Sequence, residues 1–364
     1  MKKISFVFLI IWVAGSIQAQ SISVPFDEDR WDTQGAEFVL ANFQGREAIL
    51  LTRGTIVLKD VELLNGTIEV DINFSNRRNF PGVRFRMQDR RNYENFYIRP
   101  HQSSNPDANQ YTPVFNGTAG WQLYHGEEWA TPITYEYGVW HHIKIELSGS
   151  KAKIYFDNME REMLAVDLLR DIEAGKIGLG TGIAPVYFAN LSYTINDGST
   201  AKTPVDSRAE DNSITQWQVS NLIEDSVVLD QLQLDKDFKN GLTWTAQQSE
   251  WTGAINLARY AQRSQGSNTI AVKVDIESDK AQLKRIDFGF SDRVRVYLND
   301  QAIFEGRDRF VSRDYRYLGT IGFFDSVFLP LKKGNNELWF LVSEAFGGWG
   351  LQAKFENMEG VRLN

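Results

Sequence analysis

Cysteine is absent from all 364 residues. No disulfide can staple the fold, so each module has to be large enough to stand on its own core. The same absence excludes lipid attachment after an N-terminal apolar run. Histidine is scarce, with four residues: His101, His125, His141 and His142. His141 and His142 are neighbours in a strand-like stretch and point to opposite faces, so they cannot hold one ion. His101 and His125 alone supply too few ligands for zinc. Positive charge is in deficit, 39 Lys and Arg against 47 Asp and Glu, a formal net charge of −8. That balance argues against a nucleic-acid partner, which calls for a basic stripe to neutralise phosphates. Long apolar runs are missing as well. The longest, Ile4 to Ala14, is shorter than the roughly 20 residues that span a bilayer, so no transmembrane segment is expected. The chain carries neither a Gly-x-Ser-x-Gly elbow, a phosphate loop nor a dinucleotide fingerprint.

What is present begins with Lys2 and Lys3, the short apolar core, and the small residues Ala14, Gly15, Ser16 and Ala19. This is the pattern of a secretory signal peptide over residues 1–19, cut after Ala19 or Ser16. The expected location is therefore periplasmic, cell-surface or extracellular. Beyond it, short runs of β-branched and aromatic residues alternate with polar ones. Examples are Thr67 to Phe74, Gly82 to Met87, Asn95 to Arg99, His142 to Leu147 and Lys151 to Phe156. One helix-like turn is expected near Met163 to Glu173. A polar stretch over 196–213, carrying Gly198 and Pro204, reads as a linker. Strands resume at Ile214 to Val219, Thr269 to Ile276 and Asn336 to Val342, and Asn299-Asp300 reads as the tight turn of a hairpin. The expected class is all-β, with two β-sandwich (jelly-roll) domains at 21–195 and 214–364.

The order Asn65 to Ile72, Gly82 to Arg86, Trp140 to Ile145, Ala152 to Asn158 and Gly175 to Gly180 resembles the laminin-G-like and 3-keto-disaccharide hydrolase groups of the concanavalin A-like lectin/glucanase superfamily. The resemblance implies a jelly roll over 21–195 and, less specifically, a glycan as ligand. The second half resembles galactose-binding-like jelly rolls at Phe290 to Asp300 and Leu331 to Leu338. Glu69-Val-Asp-Ile-Asn73 resembles the Glu-x-Asp-x-Glu strand of family 16 glycoside hydrolases. Asn73 stands where the last carboxylate belongs, and an amide cannot serve as acid or base there.

The most unusual stretch runs from Arg84 to His125. Read as strands, Arg84 and Arg86 share one face, Asn95, Tyr97, Arg99 and His101 align on another, and Gln122 and Tyr124 point together. Planar donors beside aromatic rings are what a sugar site uses. The same pattern also describes the solvated face of a sandwich. Asp107 and Asn109 offer two oxygens where Ca²⁺ takes about 6–8, so the loop reads as a turn held by its own side chains and no cofactor is expected. Phe346-Gly-Gly-Trp-Gly350 reads either as a sugar platform or as a core tryptophan beside a bulge. The leading expectation is an exported carbohydrate-binding protein with a glycan or oligosaccharide partner. The alternatives are a glycoside-cleaving enzyme of the 3-keto-disaccharide hydrolase type and an adhesion module that binds protein.

Overall fold

The computed structural model describes residues 20–364 except 28, 197, 199–204, 225, 227–231 and 314–317. The expected signal segment and part of the expected linker lie outside the described residues. The described chain is almost all antiparallel strand. Strands up to Ile195 pair among themselves, and strands from Gln216 onward pair among themselves. No helix among the described residues is long and apolar enough to cross a membrane.

In the first half one sheet runs Leu164–Asp167, Lys151–Phe156, His141–Ser148, Gly66–Asn73, Val186–Ile195, then the start of Arg46–Leu58. The end of that 13-residue strand passes into the second sheet. There it is followed by Lys176–Thr181, Gly82–Asp89, Asn92–Ile98, Asn109–Phe115 and Thr118–Ala119. Period-two alternation explains the inner face: Ile68, Val70 and Ile72 are buried, as are Ile143, Ile145 and Leu147 on the neighbouring strand. The two sheets close on one apolar cluster that includes Val83, Phe85, Phe96 and Leu179. Leu164–Asp167 is an edge strand, so the helix-like turn expected near Met163 to Glu173 does not form. Its Leu164 and Val166 are buried at a two-residue interval, which is a strand period rather than a helical one.

The second half stacks the sheet around Thr269–Ser278 and Gly334–Ser343 on the sheet around Gln282–Phe290 and Gly350–Phe355. Trp217, Phe288, Phe340 and Trp349 fill the space between them. Asn299 and Asp300 take φ of 49° and 71°, the left-handed pair that a two-residue hairpin turn needs.

Candidate functional site

Residues 121–125 of the first module form a finger that enters the second. It is a turn rather than a strand. The Gln122 amide donates to the Gly347 carbonyl at 2.9 Å, and Gln122 Nε2 donates to the Leu318 carbonyl at 2.7 Å. A side chain on Gly347 would lie 2.3 Å from Gln122 Oε1, and one on Gly348 would lie 2.4 Å from Leu123 Cδ1. Both glycines also have positive φ, 108° and 147°. Their lack of Cβ is what admits the finger. Tyr124 continues the contact: its hydroxyl donates to Glu250 Oε2 at 2.7 Å and accepts from Asn256 Nδ2 at 2.9 Å. The modules are thus joined by hydrogen bonds made across the junction, although Gln122 Oε1 is buried without a partner.

Beside this finger lies a cleft of about 580 Å³ with walls from both modules. One wall is sheet. Arg84, Asn95 and Thr112 sit opposite one another on three adjacent strands. Tyr97 follows two residues along. Its hydroxyl donates to Gln110 Oε1 at 2.8 Å, and burial pushes its pKa up to about 12. Arg99 donates to the Tyr97 hydroxyl and to the Asp107 carbonyl, each at 2.7 Å, and also to Gln110 Oε1. His101, in the short turn Pro100–Gln102, meets Phe80 edge-on at 5.3 Å. Another part of the lining is aromatic. Trp121 lies 6.1 Å from Phe310 and 5.8 Å from Phe346, and Phe310 and Phe346 are 6.2 Å apart. Phe346 is 57% exposed, while Trp349 is buried and donates Nε1 to the Val342 carbonyl at 3.0 Å. The Phe346 to Gly350 motif therefore supplies a platform and a core tryptophan at once.

Of the residues singled out from sequence, Arg84, Asn95, Tyr97, Arg99 and His101 line this cleft, and three do not. Arg86 turns into the protein. It has φ of 46°, the strand register shifts between Phe85 and Asp89, and its guanidinium donates to the carbonyls of Leu64 and Gly149. A bulge inverts alternation beyond it, so parity with Arg84 fails. Gln122 and Tyr124 are consumed by the junction, because a turn has no alternating faces. Sequence reasoning also left out Arg78, Phe80, Trp121, Arg263 and Phe310 as wall residues. Phe346 carried a signal, an aromatic among glycines. Arg263 and Phe310 are brought to the cleft only by the packing of the two modules, whereas Arg78 and Phe80 stand in a loop of the first module beside Tyr97 and His101.

Arg99 and Tyr97 share one acceptor, Gln110 Oε1. Replacing Arg99 by alanine strips partners from Tyr97, Gln110 and Asp107 together. We expect a loss of about 1–3 kcal/mol of stability, read by urea denaturation, so this variant is a poor probe of binding; a midpoint equal to that of the parent protein would contradict the network.

Other polar clusters hold structure. On the outer face of the first sheet His142 Nδ1 lies 2.6 Å from Asp71 Oδ1 and its Nε2 lies 3.0 Å from Glu69 Oε2. Asn190 and Arg46 also bond Asp71. Burial pushes the Asp71 carboxyl up, but the hydrogen bonds from His142 and Asn190 and the charge of Arg46 leave it below the usual range. Asn73 is tied to Gln44 at 3.2 Å. His141 faces the other way and stacks on Phe74 at 5.1 Å. Asn109 is buried and donates to the Thr131 carbonyl, away from Asp107. Among the described residues no group of three or more His, Asp or Glu is placed to hold a metal.

Compared with protein-family models and with curated proteins, the chain matches none. Among solved structures it is similar to the carbohydrate-binding module CBM66 of Bacillus subtilis, at 19% identity over 45% of this chain and 95% of that one, with a TM-score of 0.37. It is also similar to a Bacillus licheniformis β-glucanase, at 13% identity over 48% of this chain and 98% of that one, TM-score 0.35. A native glycosidic hydrolase gives 13% identity over 50% and 100%, TM-score 0.35.

Proposed function

We propose that this chain is an exported glycan-binding protein whose ligand lies in the cleft at the module junction. The observation that carries the reading is the make-up of one cleft: a triad of aromatic rings drawn from both modules shares it with the planar donors of Arg84, Asn95 and Arg99. Sugar rings present an apolar face and a rim of hydroxyls, and these two sets of groups answer the two parts. The wall carries one carboxylate among the described residues, Asp107, which lies against Arg99. Cleavage of a glycosidic bond ordinarily takes two carboxyl groups about 5–9.5 Å apart, so this wall suits holding better than cutting. Export rests on residues 1–19 as a secretory leader.

Phe346→Ala tests the reading without touching the core, because the ring is exposed. Loss of an aromatic contact worth about 0.5–1.5 kcal/mol weakens glycan binding between about twofold and tenfold, with an unchanged melting temperature. Calorimetric titration of the glycan retained on an array measures it. Equal affinity in the parent and the variant would remove the aromatic wall from the site.

A further inference from the structure

Charge in the cleft runs against charge on the chain. The whole sequence carries a formal −8, yet the cleft wall bears Arg78, Arg84, Arg99 and Arg263 against Asp107. These cations are thinly neutralised. Arg78 is exposed, and its guanidinium lies over the Phe80 ring at 5.7 Å. Arg84 bonds the Thr55 hydroxyl and lies over Tyr93 at 5.0 Å. Neither has a carboxylate partner among the described residues. Arg99 meets Asp107 Oδ2 only at 3.8 Å, and its close partners are neutral oxygens. Arg263 lies 3.9 Å from Glu344, a long contact to a carboxyl that burial and the charge of Asp292 push up.

The positions are built into the fold. A side chain on Gly180 would sit 2.8 Å from Arg84 Nη2, so the bare backbone of Lys176–Thr181 is the shelf on which that guanidinium rests. His101 stands within reach of the charges of Arg78 and Arg99. Burial first, and then those two positive charges, hold its pKa below the usual value against the opposing pull of Asp107. Its Nδ1 is buried and has no partner. Guanidinium groups match the oxygens of carboxylates and sulfates with paired N–H donors, and sharing such a group is what relieves crowded cations.

We propose that the ligand is an acidic glycan, its carboxylate or sulfate held among Arg78, Arg84 and Arg99 while a sugar ring lies against Trp121 and Phe346. This rests on the glycan-binding reading and names its substrate class. The aromatic wall separates the ligand from a free inorganic anion, which would have no use for it.

The test is an array of acidic and neutral glycans, followed by calorimetry on the full chain at 50 and 500 mM NaCl. The titration set holds an oligogalacturonate, its carboxyl-reduced neutral counterpart, a sulfated chondroitin oligosaccharide and inorganic sulfate. We expect the acidic glycans to bind about tenfold or more tightly than the neutral one, the gain of one charge-assisted contact. Salt shrinks that advantage by screening. Arg78→Gln, an exposed change, reduces acidic affinity more than neutral affinity. By nuclear magnetic resonance the His101 titration midpoint rises when the acidic glycan binds. The uronate and the sulfated arm show which anion is preferred. Neutral glycan binding as tightly as acidic, with Arg78→Gln weakening both alike, overturns the inference and leaves the glycan reading standing. Retention of no glycan on the array overturns both. Inorganic sulfate matching the sulfated glycan also overturns the inference.

Discussion

Replacing Arg259 by alanine lowers stability by about 2–4 kcal/mol, toward the lower end of the range for breaking a buried ion pair because the pair is part-buried. Arg259 stands in the short turn Leu257–Arg259 of the second module. Its Nε donates to Glu250 Oε1 at 2.6 Å, its Nη2 donates to the Leu169 carbonyl at 2.6 Å, and its guanidinium lies over Phe115 at 4.0 Å. Leu169 and Phe115 belong to the first module, and Glu250 also receives the Tyr124 hydroxyl. The alanine variant leaves the Glu250 carboxylate without its cation at the point where the modules meet. Denaturation by guanidinium, followed through the fluorescence of Trp129 and Trp251, whose rings are 5.5 Å apart across the junction, measures the loss. The double variant Arg259→Met with Glu250→Met recovers much of it, because an apolar pair has no charge to strand. A loss below about 1 kcal/mol in the single variant would show that the pair contributes little.

The second large effect is on pH. Glu344 is fully buried. One oxygen accepts from the Ser291 hydroxyl at 2.8 Å and the other from the Gly348 amide at 3.1 Å. Nearby, Asp292 Oδ2 accepts from the amides of Ala345 and Phe346. Burial, and then the Asp292 charge, push the Glu344 carboxyl up to about 8. The folded protein therefore keeps a proton that the unfolded chain gives up near 4.5. Stability from this group is greatest below that value and is lost as pH rises toward 8. Linkage sets the fall at about 4 kcal/mol between pH 5 and pH 9. Glu344→Gln, which cannot ionise, removes this group's share of the slope, while Glu94 and Asp292, whose carboxyls burial also pushes up, and His141 and His142, whose pKa values are raised, leave a decline of the same sign. Denaturation midpoints at pH 5, 7 and 9 compare the two proteins. Parallel profiles would place the alkaline sensitivity elsewhere.

Alternation made the strands legible, because a half-buried sheet imposes a period of two on the sequence. It made Asn95 and Tyr97 legible as neighbours on one face for the same reason. It misled at Arg86, where a single left-handed residue reverses the faces, and at Gln122 and Tyr124, which lie in a turn. A bulge and a turn are both set by backbone conformations that arginine, glutamine and tyrosine do not advertise. The aromatic wall was half visible. Phe346 stood out among glycines, yet the purpose of Gly347 and Gly348 is to make room for Gln122 and Leu123, more than 220 residues earlier in the chain. Phe310 and Arg263 gave no sign, since only the docking of one module on the other brings them beside Arg84.

The inserted finger also sets an order of events in time. Residues 121–125 leave the ribosome long before Leu318, Gly347 and Gly348 exist to receive them, and contacts so distant in sequence form late in folding. Until then Gln122 lacks its acceptors at Leu318 and Gly347 and Tyr124 lacks Glu250 and Asn256, and the aromatic wall lacks two of its three rings. A chain that crossed a membrane unfolded, as the proposed leader implies, would thus arrive without the proposed cleft, which is completed only once its final strands have closed.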